Sequence, residues 1–382
     1  MTVDIYAPTP QDGLSLTELA LYHLIMDYRA SLGLPPVPIS GALTLVAGRH
    51  TLDTVENIWR PDLVLPAGAN LHSWSDAPYY SDHRDPQVMW EAPERLGSGY
   101  PGYGFEISAA GYSSIAAALT GWQNSAGHNA VIVNSGAWAD MDWQAIGIGV
   151  QMSNEAGLDY NGMVYHVWFG TLPDPAGSPP ILGTGGADNI RGTAFADTIR
   201  AQDGQDTLNG GTGDDFLFGG ATAADLRDVV YGGDGHDSID GGYGNDELNG
   251  GNDNDTVSGG IGADTLIGND GNDLLAGMGG GDLLYGNGGN DTLNGGFGYD
   301  RLNGGAGADS FYHQGVADHG SDWVQDYSAA EGDVLSVGIA GATASQFQVN
   351  FATTAGAGSA AVAEAFIIYK PTGQILWALV DG

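Results

Sequence analysis

The chain contains no cysteine and a single lysine, Lys370. Without cysteine, disulfides, thiolate zinc sites and cysteine nucleophiles are all excluded. Positive charge is scarce throughout: Lys and Arg total 10 against 47 Asp and Glu, a formal net charge of −37 over 382 residues. A surface of that sign repels phosphates and anionic headgroups, which excludes nucleic-acid binding and electrostatic docking to membranes. Its natural partners are cations, because a divalent ion turns repulsion between carboxylates into cohesion. No apolar run approaches the roughly 18 residues of a membrane span. Residues 1–13, MTVDIYAPTPQDG, lack the basic and apolar regions of a cleavable secretory signal, so none is expected there. Neither H-E-x-x-H nor G-x-S-x-G occurs, which removes the helix-borne zinc protease motif and the nucleophile elbow.

What the chain has in excess is glycine, 64 residues, concentrated in the second half. From Gly183 to about Tyr312 the pattern G-G-x-G-x-D-x-U-x recurs, where U is apolar. Aspartates fall nine apart at Asp188, Asp197, Asp206 and Asp215. After an insertion around A-T-A-A the register resumes at Asp228, Asp237, Asp246, Asp255, Asp264, Asp273, Asp282, Asp291, Asp300 and Asp309. Two residues after every one of these comes an apolar side chain, from Ile190 to Phe311. A disordered linker would not keep that phase. The x-U-x triplet reads as a short strand with one inward residue, and G-G-x-G-x-D as a turn whose glycines let carbonyls converge beside a carboxylate. Flexible oxygen-rich turns of this kind suit calcium.

Two such units make one coil of a parallel β-roll, so like turns recur every 18 residues. Asp237 and Asp255 are expected to face one ion, and Asp246 and Asp264 another. The candidate ligands are Asp206, Asp215, Asp228, Asp237, Asp246, Asp255, Asp264, Asp273, Asp282, Asp291, Asp300 and Asp309, with an upper bound of about ten Ca2+. The first two units, GTGGADNIR and GTAFADTIR, are degraded, and Leu226 stands where a glycine is wanted before Asp228. Weak or absent ions are expected at those places. Between 183 and 312 there are 22 Asp and Glu against 4 Arg, so folding should await the ions that neutralise the segment. The nonapeptide resembles the RTX, or haemolysin-type, calcium-binding repeat.

Beyond Phe311 the repeat stops. Residues 320–338 read as two short strands around an acidic turn, and 366–382 as a hairpin. D-W-V-Q-D-Y and E-G-D-V-L resemble the C-terminal cap of RTX proteins exported by type I secretion, with Asp326 and Asp333 as extra candidate ligands. That resemblance implies the type I secretion machinery as a partner and a secreted, extracellular location.

Residues 1–175 have ordinary composition. S-L-T-E (15–18) is a capping box ahead of an amphipathic run to about Leu32. Further helices fit 40–57 and 112–126, and strands fit 146–151 and 163–170. Helices flanking a small antiparallel sheet predict an α-β-α sandwich. The fold class expected for the whole chain is α+β: that sandwich, the β-roll and a short β-rich cap. The boundaries expected are 1–175, a linker at 176–182, the roll at 183–312 and the cap at 313–382.

The pieces G-L-P-P-V, L-H-S-W-S-D, G-F-E-I-S-A-A-G-Y, W-Q-N-S-A-G-H-N, A-I-G-I-G-V and Y-H-V-W-F-G occur in that order. Together they resemble the CAP superfamily, also called SCP or PR-1-like, over most of 14–170. The resemblance implies a cleft built from His72, Glu106 and His128. The family's second acidic residue falls on Ser125, as in many bacterial members, which weakens a full acid–base tetrad.

His72 therefore reads three ways: as a ligand, with His128, of Zn2+ or another divalent metal; as a catalytic base beside Glu106, Ser125 and His128; or as part of a polar network tying loops together. Trp74, Tyr100, Tyr103 and Trp122 flank this cleft as walls or core. The remaining histidines, His50 and His166 among them, show no pattern and read as surface or core residues. A binding or interaction module for a lipid, peptide or cell-surface ligand is the favoured function. A metal-assisted extracellular hydrolase and a structural or adhesive surface protein are the alternatives.

Overall fold

The computed structural model describes residues 3–59, 66–80, 82–153, 157–316, 319–353 and 362–380. The chain divides into two compact units, Met1–Ile181 and Leu182–Gly382.

In the first unit the elements are α1 (Leu16–Ser31), α2 (Gly41–Asp53), the short α3 (Gln87–Trp90) and α4 (Ala92–Arg95), β1 (Phe105–Ala110), α5 (Ile115–Asn124), α6 (Ala126–Ile132), β2 (Ala145–Met152) and β3 (Met163–Gly170). The capping box at α1 forms as its residues require: the Ser15 hydroxyl accepts the Glu18 N–H, and Glu18 accepts the Ser15 N–H. The other oxygen of Glu18 accepts the Val150 N–H at 2.9 Å, so one buried carboxylate caps a helix and ties it to β2. Helix α2 starts on the Ser40 cap and ends in a π turn at Thr54–Ile58, one residue past the 40–57 span expected to be one helix.

The sheet has the order β1-β3-β2, antiparallel throughout, with β3 central and largely buried. Strand β1 was not among the strands read from the sequence. Its polar positions, Glu106 and Ser108, alternate onto the face that α2 covers. The same face carries His166 and Trp168 of β3 and Gly147 and Gly149 of β2. Those two glycines set the depth at which α2 rests. A methyl group on Gly147 would lie 2.1 Å from the Leu43 carbonyl carbon, and one on Gly149 would lie 2.3 Å from the Ala47 oxygen. The G-x-G of A-I-G-I-G-V is thus a backbone-to-backbone seat for the helix. Helices α1 and α5 pack on each other and reach β2 and β1 respectively.

The second unit contains a parallel β-solenoid of about eight turns over 181–324. Successive x-U-x strands alternate between two parallel sheets. Strands in one sheet pair with those one coil away, 18 residues on, as Leu248 pairs with Leu266 and Val257 with Leu275. Across the A-T-A-A insertion the step is 22, as in Leu208 with Val230. All fourteen inward apolar residues, Ile190 to Phe311, are at most 1% exposed. They form two rows, one from each sheet, that make the core between the sheets.

The β-rich C-terminal end continues both sheets: the strand Val334–Val337 pairs with Ser310–His313 in one, and the other is extended further. The strand Asp322–Val324 is followed in space by β6 (Gln374–Leu379), β5 (Glu364–Tyr369) and β4 (Phe347–Ala352). The hairpin expected at 366–382 corresponds to β5 and β6, with residues 381 and 382 outside those described.

Candidate functional site

The aspartates of the repeat form two columns. In each, the Oδ1 of one aspartate accepts the backbone N–H of the aspartate one coil earlier: Asp255 from Asp237, Asp264 from Asp246 and Asp273 from Asp255, at 2.8–2.9 Å. The second oxygen, Oδ2, is buried and has no hydrogen-bond partner among the described residues in any of the twelve aspartates from Asp206 to Asp309. Glycine leaves room beside it. A methyl built on Gly232 would lie 2.3 Å from Asp237 Oδ2 and 2.4 Å from the Gly250 carbonyl oxygen, and the same arrangement repeats at Gly241, Gly259 and Gly277.

A row of buried orphan carboxylate oxygens facing carbonyl oxygens is costly unless a cation is shared among them. The donor set is all oxygen, which fits a hard ion such as Ca2+. Burial raises these carboxyls, and neighbouring aspartates add to the rise: Asp215, Asp228, Asp246, Asp255 and Asp282 are pushed up to about 7, and Asp237 and Asp291 to about 6.

The degraded first units differ in a specific way. Thr184 and Thr193 stand where the repeat has its second glycine. Their backbone N–H groups bond Oδ2 of Asp188 and Asp197 at 2.6 and 2.5 Å, and the Thr184 hydroxyl bonds Asp188 as well. Protein donors thus occupy an oxygen that a cation would use further along. At the other end, Asp326 accepts the Gly304 and Gly305 N–H groups, and Asp333 accepts those of Asp309 and Ser328. Asp322 differs from both. It lies opposite Asp300 in register, fully buried, with both oxygens lacking a partner among the described residues, and it is pushed up to about 9 by burial and by Asp300. Sequence reading passed over Asp322, although G-S-D-W-V keeps the G-x-D-x-U spacing.

In the first unit, Glu106 is the centre of a buried cluster. His50 Nδ1 and His166 Nδ1 approach its Oε1 at 2.5 and 2.6 Å, and His72 Nδ1 approaches Oε2 at 2.6 Å. The Ser108 hydroxyl bridges His72 and His166 at 3.1 and 2.9 Å. His50 is stacked between Trp74, at 4.1 Å, and His166, at 3.9 Å, and its Nε2 donates to the Ser73 carbonyl. Burial pushes the Glu106 carboxyl up, but His50 and His166 beside it prevail and hold it well below the usual range. Burial, reinforced by His50, brings His166 down to about 4.

The L-H-S-W-S-D loop is pinned on both sides of His72. Trp74 is wholly buried, the Ser75 N–H and hydroxyl donate to Asp53, and the Ser73 hydroxyl accepts the Tyr79 N–H.

His128 does not join this hydrogen-bonded cluster. It lines an adjacent cavity of about 600 Å³, together with Ser125, Ser108, Trp59, Tyr112 and Tyr160. Burial and the nearby His72 lower its pKa. Ser125 sits at the N-cap of α6 without using its side chain as the cap. Trp122 is in the cavity wall, its indole N–H bonded to the Ser108 carbonyl, whereas Tyr100 and Tyr103 line a separate cavity with Glu91 and Glu94. The structure therefore brings His72 and Glu106 into contact and sets Ser125 and His128 beside them.

His50 and His166 are the residues that sequence reasoning missed. Linear spacing does not mark them: His166 shares a strand face with Trp168 and His50 sits near the end of α2, and the two meet only in the folded unit. His50, Glu106 and His166 bring ligand-type atoms within 4.8 Å of one another.

Residues 182–221, 222–257, 249–284, 258–293 and 285–319 match the family model of the RTX calcium-binding nonapeptide repeat. No curated protein matches the chain. The second unit thus carries RTX calcium-binding repeats, folded as a parallel β-solenoid.

Proposed function

We propose that the chain is a secreted RTX protein in which calcium folds the β-roll and the N-terminal unit, CAP-like in its motifs, serves as an extracellular binding module. The observation that carries the calcium half is the row of buried, orphaned Asp oxygens set against glycine carbonyls. Export by a type I system goes with that reading, because a chain unfolded at low calcium can be threaded and then fold outside. The working boundaries are 1–175, 176–182, 183–312 and 313–382. The test is calcium stoichiometry by equilibrium dialysis, with circular dichroism along the titration. Several ions per chain with a cooperative gain of strand signal is the expected result; no uptake overturns it.

The binding half is supported by the cavity beside His128, walled by aromatics and open to solvent beside a fixed polar cluster. A metal-assisted hydrolase is the second reading, favoured by the His50, Glu106 and His166 cluster and by the approach of His72. Against a resident Zn2+ stands the spacing. The imidazole nitrogens lie 2.5–2.6 Å from Glu106 oxygens, which are hydrogen-bond lengths. Two ligands of one tetrahedral zinc stand about 3.3 Å apart. Metal analysis of wild type and His72→Ala separates the two readings. A transition metal near one per chain, lost in the variant, supports the hydrolase; none in either supports the binding module.

A further inference from the structure

The last strand of the extended sheet, β4, has sequence F-Q-V-N-F-A and lies at an open edge: β5 pairs with one side, and no described strand pairs with the other. The Lys370 N–H donates to the Gln346 carbonyl, and these two residues are opposite in the β4–β5 register. Bonded and non-bonded pairs alternate in an antiparallel ladder. Gln348 and Asn350 therefore bond to β5, while Phe347, Val349 and Phe351 turn their N–H and C=O groups outward.

The side chains at this edge are unusual for an exposed strand. Val349 is 50% exposed and Phe351 72% exposed. Natural edges are generally blunted by lysine, proline or inward charge. Residues 347–352 have none of these, and no charge at all, in a chain of net −37.

Phe347-Gln348-Val349-Asn350-Phe351 also reads nearly the same in both directions. Laid antiparallel on a second copy about Val349, it sets Val349 on Val349, each Phe347 on Phe351 and each Gln348 on Asn350. The residues that meet as bonded pairs in that register, 347 with 351 and 349 with 349, are the three whose backbone groups face outward. That gives about six interchain hydrogen bonds, flanked by aromatic and amide–amide pairs.

We propose that β4 is a self-complementary docking edge: two copies of the chain pair through it about a two-fold axis at Val349, joining their sheets. The contact is isologous and therefore closes as a dimer rather than growing into a fibre. A single strand pair buries less than a standard interface, so the dimer is weak, with a dissociation constant on the order of 10 μM. It presents two N-terminal units together, which raises avidity for any repeated surface ligand.

The test is sedimentation velocity of the full chain in millimolar calcium, from about 1 to 100 μM, a range that brackets that constant. A shift from monomer to dimer is expected. Val349→Pro removes an outward N–H and leaves the β4–β5 ladder intact, so it should remain monomeric with an unchanged calcium-dependent dichroism signal.

Because the chain has no cysteine, register can be read by cross-linking. Val349→Cys should oxidise to a covalent dimer, its two Cα atoms being about 5.5 Å apart. Phe347→Cys should not, since like positions there lie about 13 Å apart. A wild-type chain that stays monomeric throughout, a Val349→Pro chain that still dimerises, or equal cross-linking at 347 and 349 would each overturn the proposal.

Discussion

In the absence of metal the roll should be stabilised by acid and dissolved by neutral pH. Five aspartates lie near pKa 7 and two near 6 when the roll is folded, against an ordinary value of 3.8. A shift of about three units is roughly 4 kcal/mol per group at 1.36 kcal/mol per unit. If solvent and relaxation reduce that to a quarter, seven groups still oppose folding by about 7 kcal/mol, comparable with the whole stability of a domain. The folded roll holds more protons than the unfolded chain between about pH 4 and 7, so stability falls as pH rises through that window. Metal-stripped protein should therefore show roll-type strand signal at pH 5, above the isoelectric point near 4.1, and lose it by pH 7.5. Calcium should restore it at pH 7.5. Far-UV circular dichroism across pH 5–8, with and without calcium, reads both transitions. Strand content independent of pH in stripped protein would refute the argument that these carboxylates need a cation.

Other outcomes follow from single contacts. Asp255→Asn keeps an oxygen for the Asp237 N–H but removes the charge, so calcium dialysis should find at least one ion weakened roughly tenfold or more with the metal-free fold no less stable. Gly149→Val drives a side chain into the α2 backbone and should cost about 3 kcal/mol or more, read as a lowered thermal midpoint of the N-terminal unit. His50→Ala leaves Glu106 buried with one donor fewer and should destabilise that unit by about 3–5 kcal/mol, with Glu106→Gln partly rescuing it in the double variant. Met278 holds a left-handed backbone (φ 74°) at a position where most units have glycine, so Met278→Gly should raise stability of the calcium-loaded roll by about 1 kcal/mol.

The roll was legible because its determinants are local and repeated. Fourteen inward residues in phase with fourteen aspartates define strand, turn and coil length without any long-range information. What the phase did not disclose was the division of labour within each carboxylate. One oxygen ties the preceding coil and the other is left for a cation, and this becomes visible only when the coils are stacked. In the first unit, β3 and most of β2 could be read from apolar alternation. Strand β1 was missed although Phe105-Glu106-Ile107-Ser108-Ala109 alternates apolar and polar, and its polar side faces α2 to build the cluster instead of facing solvent. His50 and His166 were overlooked because they converge from elements more than a hundred residues apart, where spacing along the chain carries no signal.

The two aspartate columns run through opposite sheets, and each is continued by a different residue of the C-terminal segment: Asp300 by Asp322, and Asp309 by Asp333. Successive nonapeptides alternate between the columns. Removing one would swap every downstream unit to the other sheet and present Asp322 and Asp333 to the wrong rows. Removing two, 18 residues, would leave every register intact. The repeat therefore tolerates changes of length only by even numbers of units, and related chains should differ by whole coils: parity, rather than size, is what the terminal strands inspect.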